Sequence, residues 1–512
     1  MNFTLLTTLV LAALAAADDT IQPRHKRISP PNIIYILGDD IGYNDVGWNN
    51  PNINTPHMDK LAKEGVILDN FYSMPLCTPS RAALLSGLYA QQLGLQRGVI
   101  KPQEPYGIPL KYKLLPERLK LRGYRTHAIG KWHLGFCDWR YTPTYRGFDT
   151  FLGFYQAAEE NYQHCLSSDF NYFKNGCNQF DFRHNEKPAP QYTGQYSSYV
   201  YGDRAVEIIR RHSTLPGVPL FMYVAVASSH FPVQGDKFTA KCKKVILSRR
   251  EFCGAMMGID EVVYKIIQAL KRYKLYDNTI LVFTSDNGGS TQFGGSNFPL
   301  RGEKGTLYEG GNRVPAFIHS PLLKKTGYKH NGLFHIVDWY TTFLHVAGIR
   351  SRLNGVNQWD AISSGMPSPR REFPYFMDKV NGTIIGAVRV GNYKLINGPG
   401  GQSNEWYLEE ATKDMSYNNS FIFQYASEGK TPYNIDDRSP KLFNLAVDPY
   451  EKNNLAQKEP NKLEELRRRF NYYFRIAKPA VEIPNDPTGD PNNFGGIFSP
   501  GWCVAKFDVP LI

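Results

Sequence analysis

Along the chain, apolar runs end abruptly in short polar clusters, and stretches of helical pattern lie between them. Asn32–Gly38 runs into Asp39-Asp40, and Thr279–Ser285 runs into Asp286-Asn287-Gly288-Gly289. Thr126–Gly130 feeds Lys131-Trp132-His133, and Pro219–Ala227 feeds Ser228-Ser229-His230. Runs without polar alternation predict strands covered on both faces, as in parallel sheets. Helical patterns fall at Leu115 to Leu121, Tyr201 to Arg211 and Asp260 to Lys271. The alternation predicts an α/β fold, a mainly parallel sheet with helices on both faces. Past about Phe373 the pattern shifts to short strand-like runs at Ile384–Val390, Tyr393–Ile396 and Lys441–Leu445. A helical stretch from Asn461 to Phe474 and a Pro/Gly/Asn-rich tail follow. At 512 residues the chain is too long for one core, so a large domain over 30–372 and a smaller α+β C-terminal domain over 373–512 are expected.

Ligands of open α/β sheets bind beyond the carboxyl ends of the strands. One such end, taken alone, reads as an ordinary turn or helix cap, since Asp, Asn, Ser and Gly are what turns prefer. Four ends with chemically able groups read as a site. Asp39, Asp40, Asp286 and the Asn287 side-chain carbonyl are hard oxygen donors, which suit Ca²⁺ or Mg²⁺ and argue against structural zinc. Lys131, His133, His230 and Lys304, the last in Arg301-Gly302-Glu303-Lys304-Gly305, are cationic or proton-donating.

A further stretch, Cys77-Thr78-Pro79-Ser80-Arg81, reads as a helix start, with Thr78 as N-cap, Pro79 in the first helical position and Ala82 to Leu88 continuing it. A lone cysteine there is ordinarily a buried or disulfide-bonded one. Free N–H groups and the helix dipole make such a terminus a collector of anions. Joined to a divalent cation and several donors, it describes a pocket for a tetrahedral oxyanion.

Composition sets the compartment and the partner. Phe3 to Ala17 is apolar, ends in Ala15-Ala16-Ala17 and precedes Asp18-Asp19, the pattern of a signal peptide over 1–17. No second apolar run is long enough to span a bilayer, so no transmembrane anchor is expected. With Cys77 set aside, six of the seven cysteines form an even set, as in oxidised secretory proteins. Short spacing suggests Cys165 with Cys177 and Cys242 with Cys253, leaving Cys137 for Cys503, although connectivity does not follow from sequence. Sequons at Asn381-Gly382-Thr383 and Asn418-Asn419-Ser420 fit a lysosomal or secreted glycoprotein. The net charge of +12 favours anionic substrates. No long basic run of the nucleic-acid-binding kind accompanies it, so nucleic acid is not an expected partner.

Cys77-Thr78-Pro79-Ser80-Arg81 resembles the Cys-x-Pro-x-Arg signature of the type I, formylglycine-dependent sulfatases. Gly38-Asp39-Asp40, Gly130–Gly135, Ser285–Gly289, Glu309–Arg313 and Leu442–Glu451 are similar to that family's other motifs. The chain looks most like the arylsulfatase B (N-acetylgalactosamine-4-sulfatase) branch around Trp132-His133, Arg146–Asp149 and Pro299–Gly302. The resemblance implies an alkaline-phosphatase-like fold. It implies that a formylglycine-generating enzyme oxidises Cys77 to Cα-formylglycine, with Pro79 and Arg81 in its recognition motif. One calcium ion would be held by Asp39, Asp40, Asp286, Asn287 and the modified Cys77. Arg81 and Lys131 would hold the modified residue, with His133 as the base for elimination. His230 and Lys304 would contact the sulfate and the leaving oxygen, with His230 as general acid.

The activity implied is hydrolysis of sulfate esters, with a 4-sulfated N-acetylgalactosamine glycan as favoured substrate. The enzyme-side alternative is a small aryl sulfate or a dietary plant sulfate of the glucosinolate type. A catalytically silent binding protein on the same fold is the alternative of another class, and intact Cys77, Lys131, His133, His230 and Lys304 argue against it. One departure bears on substrate choice. Arg97–Tyr106 lacks the cysteines that arylsulfatase B enzymes carry between the positions of Leu95 and Leu114, so the loops that select the sulfated partner are expected to differ.

Overall fold

The structure is a computed structural model that describes residues 29–166, 177–401, 406 and 438–505. The expected signal peptide and the sequon at Asn418 lie outside the described residues. A ten-stranded mixed sheet runs in the order Tyr328–His330, Val66–Leu68, Ala316–His319, Thr279–Ser285, Asn32–Gly38, Leu220–Val226, Arg125–Gly130, Thr150–Gly153, Arg183–His184 and Lys187–Pro188. The middle is parallel. Gly38 pairs with both Val226 and Ser285, and Ala225 pairs with Gly130, so these four strands end together on one edge.

Side chains alternate between the two faces of a strand. Ile33, Tyr35 and Leu37 join a core with Leu84, Leu85, Trp339 and Phe343. Ile34 and Ile36 face the opposite core, built with helices Ser197–His212 and Arg250–Arg272. Burial on both sides explains why these strands show no polar alternation. The helix expected at Asp260 begins ten residues earlier, at Arg250. Two glycines, Gly254 and Gly258, weaken its helical signal. A Cβ at Gly254 would stand 2.8 Å from the Cα of Gly235, so packing against the chain after His230 requires the glycine there.

The helix at the Cys77 motif also starts early. It spans Cys77–Ser86, with Leu76 as its flanking residue and every residue buried. Thr78 does not cap it. Its hydroxyl donates to His133 O (3.1 Å) and accepts from Ile100 N (3.2 Å), bonds that tie the helix to neighbouring loops. Cys77 thus becomes the first helical residue rather than the one before the cap.

A second sheet contains Glu372–Val380, Thr383–Val390, Tyr393–Asn397 and Lys441–Asn444 in antiparallel order, backed by helix Pro460–Arg475. Asn381 is exposed in its first hairpin turn. The chain then returns to the large sheet: Lys478 N donates to Gln91 O, Val481 N to Gly94 O and Asp486 N to Gln103 O. Disulfides join Cys137 to Cys503, Cys165 to Cys177 and Cys242 to Cys253, as spacing suggested. Among the described residues Cys77 is the free cysteine. No helix among them is long and apolar enough to cross a membrane.

Candidate active site

The common carboxyl edge of the four parallel strands brings the expected residues into one buried cluster. Asp39 and Asp40 follow the strand Asn32–Gly38, and Asp286 and Asn287 follow Thr279–Ser285. Lys131 and His133 follow Arg125–Gly130, and His230 follows Leu220–Val226. Ligand atoms of Asp39, Asp40, Cys77 and His230 all lie within 4.8 Å of one another. Lys304 reaches in from its loop. All of these residues are buried.

Three cations meet three carboxylates. Arg81 Nε and Nη2 donate to Asp286 Oδ2 at 3.0 and 2.8 Å, and Nη1 donates to Lys131 O at 3.0 Å and to Tyr223 OH at 3.3 Å. Lys131 Nζ lies 2.7 Å from Asp39 Oδ2, and Lys304 Nζ lies 2.7 Å from Asp40. Burial works to raise the Asp40 carboxyl, but Lys304 and His230 outweigh it and hold it below the usual carboxylate range. Burial, reinforced by neighbouring Asp39, raises Asp286 against the pull of Arg81. Burial also pushes the Cys77 thiol up to about 12 despite Lys131 and Lys304. A thiol in this setting stays protonated and is a poor nucleophile.

The two histidines are held neutral. Burial, then Lys304 and Lys131, drives the His230 imidazolium well below its ordinary range. Burial, then Lys131 and Arg81, does the same to His133. His230 Nδ1–H donates to Phe231 O at 2.7 Å, and its Nε2 stands 3.8 Å from Asp40 Oδ2. His133 Nε2–H donates to Ile100 O at 3.1 Å. Its Nδ1 is buried and without a hydrogen-bond partner among the described residues, an available lone pair.

The donor set fits a hard divalent cation. Asn287 Nδ2 is used in bonds to Asp40 Oδ1 (2.8 Å) and Gly288 O (2.9 Å), whereas its Oδ1 is buried with no hydrogen-bond partner among the described residues. A buried carbonyl oxygen left unpaired beside three carboxylates is what a hard divalent cation satisfies.

A family model described as Sulfatase matches residues 31–349. The chain belongs to the sulfatase family. It is 37% identical to mouse arylsulfatase J over 512 residues, covering 95% of this chain and 83% of that protein. To human N-acetylgalactosamine-6-sulfatase it is 31% identical, covering 83% of this chain and 81% of that one. To human arylsulfatase A it is 30% identical, with 86% of each chain covered. The solved structure of Ps i-CgsB in complex with k-i-k-neocarrahexaose superposes with a TM-score of 0.75 at 27% identity, over 91% of this chain and 97% of that one. The protein is therefore a sulfuric ester hydrolase, and its large mixed sheet with a small C-terminal sheet is the sulfatase architecture.

Several residues that support this sulfatase site escaped the sequence reading. Tyr223 lies inside an apolar strand yet places its hydroxyl on Arg81, and Ser229 donates to the backbone oxygen of Asp39 at 2.6 Å. Ser229 stood next to His230 at a strand end, so the strand-end rule could have found it; Tyr223 gave no local signal. The loop Arg97–Tyr106 touches the site through Ile100, whose carbonyl orients His133. Arg97 fastens that loop to Asp378 (2.5 Å) and to Glu482.

Proposed function

We propose that this sulfatase uses Cys77, oxidised to Cα-formylglycine, with one calcium ion held by Asp39, Asp40, Asp286, Asn287 and the modified residue. The observation that carries the reading is the convergence of three buried carboxylates, an unpaired Asn287 Oδ1 and the cations Lys131 and Lys304 on Cys77. Cys77 stands in the first turn of a buried helix. The aldehyde hydrate supplies one hydroxyl as nucleophile toward sulfur and a second through which sulfate is released. When bound there, the cation would supply Lewis acidity to sulfate oxygens and to the ionising hydroxyl.

The other steps belong to side chains. Lys131 and Lys304 exchange part of their carboxylate contact for sulfate oxygens, and Arg81 stays fixed on Asp286 to hold the first helical turn. His133 Nδ1 takes a proton as sulfate leaves. His230 gives a proton to the leaving oxygen. Its Nδ1–H already belongs to Phe231 O, so Nε2 carries a proton only in the imidazolium form, which the arriving anionic ester favours by opposing Lys304 and Lys131.

Cys77 is 1% exposed in the folded chain. Oxidation by the formylglycine-generating enzyme therefore precedes folding, in a secretory compartment entered through the signal peptide over 1–17. The three disulfides and the exposed sequon at Asn381 fit that route to the lysosome or the exterior. The substrate is a sulfated amino-sugar glycan, with the 4-sulfate of N-acetylgalactosamine favoured. Turnover of matched 4- and 6-sulfated chondroitin oligosaccharides, an aryl sulfate and a glucosinolate decides it. The 4-sulfated oligosaccharide is expected to have the highest kcat/KM. Preference for the 6-sulfate moves the assignment to the other position, and preference for the aryl sulfate or glucosinolate removes the glycan.

A further inference from the structure

Residues 237–250 contain Lys237, Lys241, Lys243, Lys244, Arg249 and Arg250 and no Asp or Glu. The segment begins seven residues after His230, which places Lys237 within about 25 Å of it along the chain. It forms short helical turns at Asp236–Lys241 and Leu247–Arg249, and the Cys242–Cys253 disulfide pins it to the following helix. Arg249 fastens it to the site. That residue is fully buried, donates to Gly294 O at 2.9 Å and pairs with Asp45. Asp45 in turn accepts from Gly42 N and Ser296 N, both at 2.9 Å. The segment is thereby bound to the loops that follow Asp39-Asp40 and Asp286-Asn287, and it continues the loop that carries His230. It forms a lysine-rich rim on the loops that leave the active-site strands.

The four lysines are unlike its arginine anchor. Lys237, Lys241, Lys243 and Lys244 are all exposed; Lys237 lies over the Tyr199 ring at 4.7 Å and helps hold the Asp236 carboxyl down. The nearby acids are otherwise engaged: Asp236 accepts from the hydroxyls of Tyr162 and Tyr199, and Glu251 accepts from Gly235 N and Thr239 Oγ1. Phe238 is buried beneath the turn, with the Lys237 and Lys241 ammonium groups 5.7 and 5.5 Å from its ring centre. Exposed ammonium groups on a disulfide-fixed segment cost little solvation and stay open to a polyanion.

We propose that Lys237, Lys241, Lys243 and Lys244 form an anion-binding extension of the active site that holds sulfates or carboxylates of the same glycan chain beyond the ester being cleaved. This rests on the glycan reading above. One exposed pair contributes little, whereas four charges on one fixed segment add up and steer a polyanion.

The test replaces all four lysines by Gln in the full-length, oxidised protein. A control variant replaces Lys63, Lys324, Lys325 and Lys329, exposed lysines near the Tyr328–His330 edge strand, and so removes the same charge elsewhere. Binding of a sulfated chondroitin oligosaccharide is measured by calorimetry at low salt and at about 0.15 M, where screening falls to about 8 Å. Turnover of nitrophenyl sulfate is measured alongside. The rim variant is expected to bind the oligosaccharide about tenfold more weakly at low salt and with a flatter salt dependence, while nitrophenyl sulfate turnover stays within about twofold. The control variant keeps parental binding. Parental binding by the rim variant, or an equal loss in the control, overturns the proposal. If the parent hydrolyses neither nitrophenyl sulfate nor the sulfated oligosaccharide, the catalytic reading fails, and the binding comparison still decides the surface.

Discussion

His230 and His133 are both buried and neutral at rest, yet their hydrogen bonds leave them in opposite states. His133 gives its Nε2–H to a carbonyl and keeps a bare Nδ1, as the proposed base needs; His230 gives its Nδ1–H to Phe231 O and has to gain a proton before it could serve as the proposed acid. A general acid matters most when the leaving oxygen is a poor leaving group. His230→Ala should therefore lower kcat/KM about a hundredfold or more for a glycoside sulfate and less than tenfold for nitrophenyl sulfate; equal losses on both would remove the acid role. At Cys77, peptide mass spectrometry of protein from a secretory host should show formylglycine in active material, and an unmodified thiol in fully active protein would sink the mechanism. Asp286 serves both the proposed metal and Arg81, which is fully buried. Asp286→Asn should abolish turnover with a smaller fall in Tm than Asp286→Ala, because its amide oxygen still accepts from Arg81 although the charge is lost. Asp286→Ala should abolish it and also cost about 3–5 kcal/mol, because a buried guanidinium loses its hydrogen-bonded carboxylate and keeps only Asp39, 3.6 Å away; thermal melts of the two variants separate the roles.

Elements are joined by side chains that cap one another from a distance. Helix Pro56–Glu64 receives no cap from Thr55; instead Asp260, on helix Arg250–Arg272, accepts from Met58 N at 2.7 Å and His57 N at 3.2 Å. Burial raises the Asp260 carboxyl to about 7 in spite of those bonds. Because the folded-state value lies above the unfolded one, this group's contribution is fully present below about pH 4 and is lost as pH rises through about 7. Asp260→Asn removes that dependence. The stability of the variant relative to the parent should rise by up to about 4 kcal/mol between pH 4 and 8, read as the difference in Tm across that range. A difference that stays flat would contradict the shift. The sequence pattern predicts the second of these helices only from Asp260 onward and gives no helix at Pro56–Glu64, and a cap supplied across 202 residues leaves no local trace.

At the scale of the whole molecule, the two sheets are coupled through buried Lys394, on a strand of the small sheet. Its Nζ lies 3.0 Å from Glu309 and 2.8 Å from Glu451. Glu309 also accepts from Tyr72 OH and Tyr375 OH, and its short helix follows the loop that carries Lys304. Burial works to raise Glu309, yet Lys394 and Arg389 hold it down at about 2; burial leaves Glu451 raised to about 7. Lys394→Met would leave two buried carboxyls without their common cation. It should cost about 3–5 kcal/mol and lower kcat through the displaced Lys304 loop. A variant with parental Tm and kcat would show that the two sheets are energetically independent.

The sequence by itself determined the strands that carry the site, the place of the reactive groups at their carboxyl ends and the Cys77 motif. Each is written locally: burial on both faces fixes the composition of a strand over seven residues, and a strand end fixes where polar groups emerge. Tertiary structure alone decided which of those groups face one another. Arg81 meets Asp286 across 205 residues, Thr78 is drawn away from its cap toward His133, and Arg249 fastens the lysine-rich segment to Asp45 and Gly294. Such pairings follow from strand order and loop closure, which bring together residues whose own neighbours in the chain carry no record of the contact.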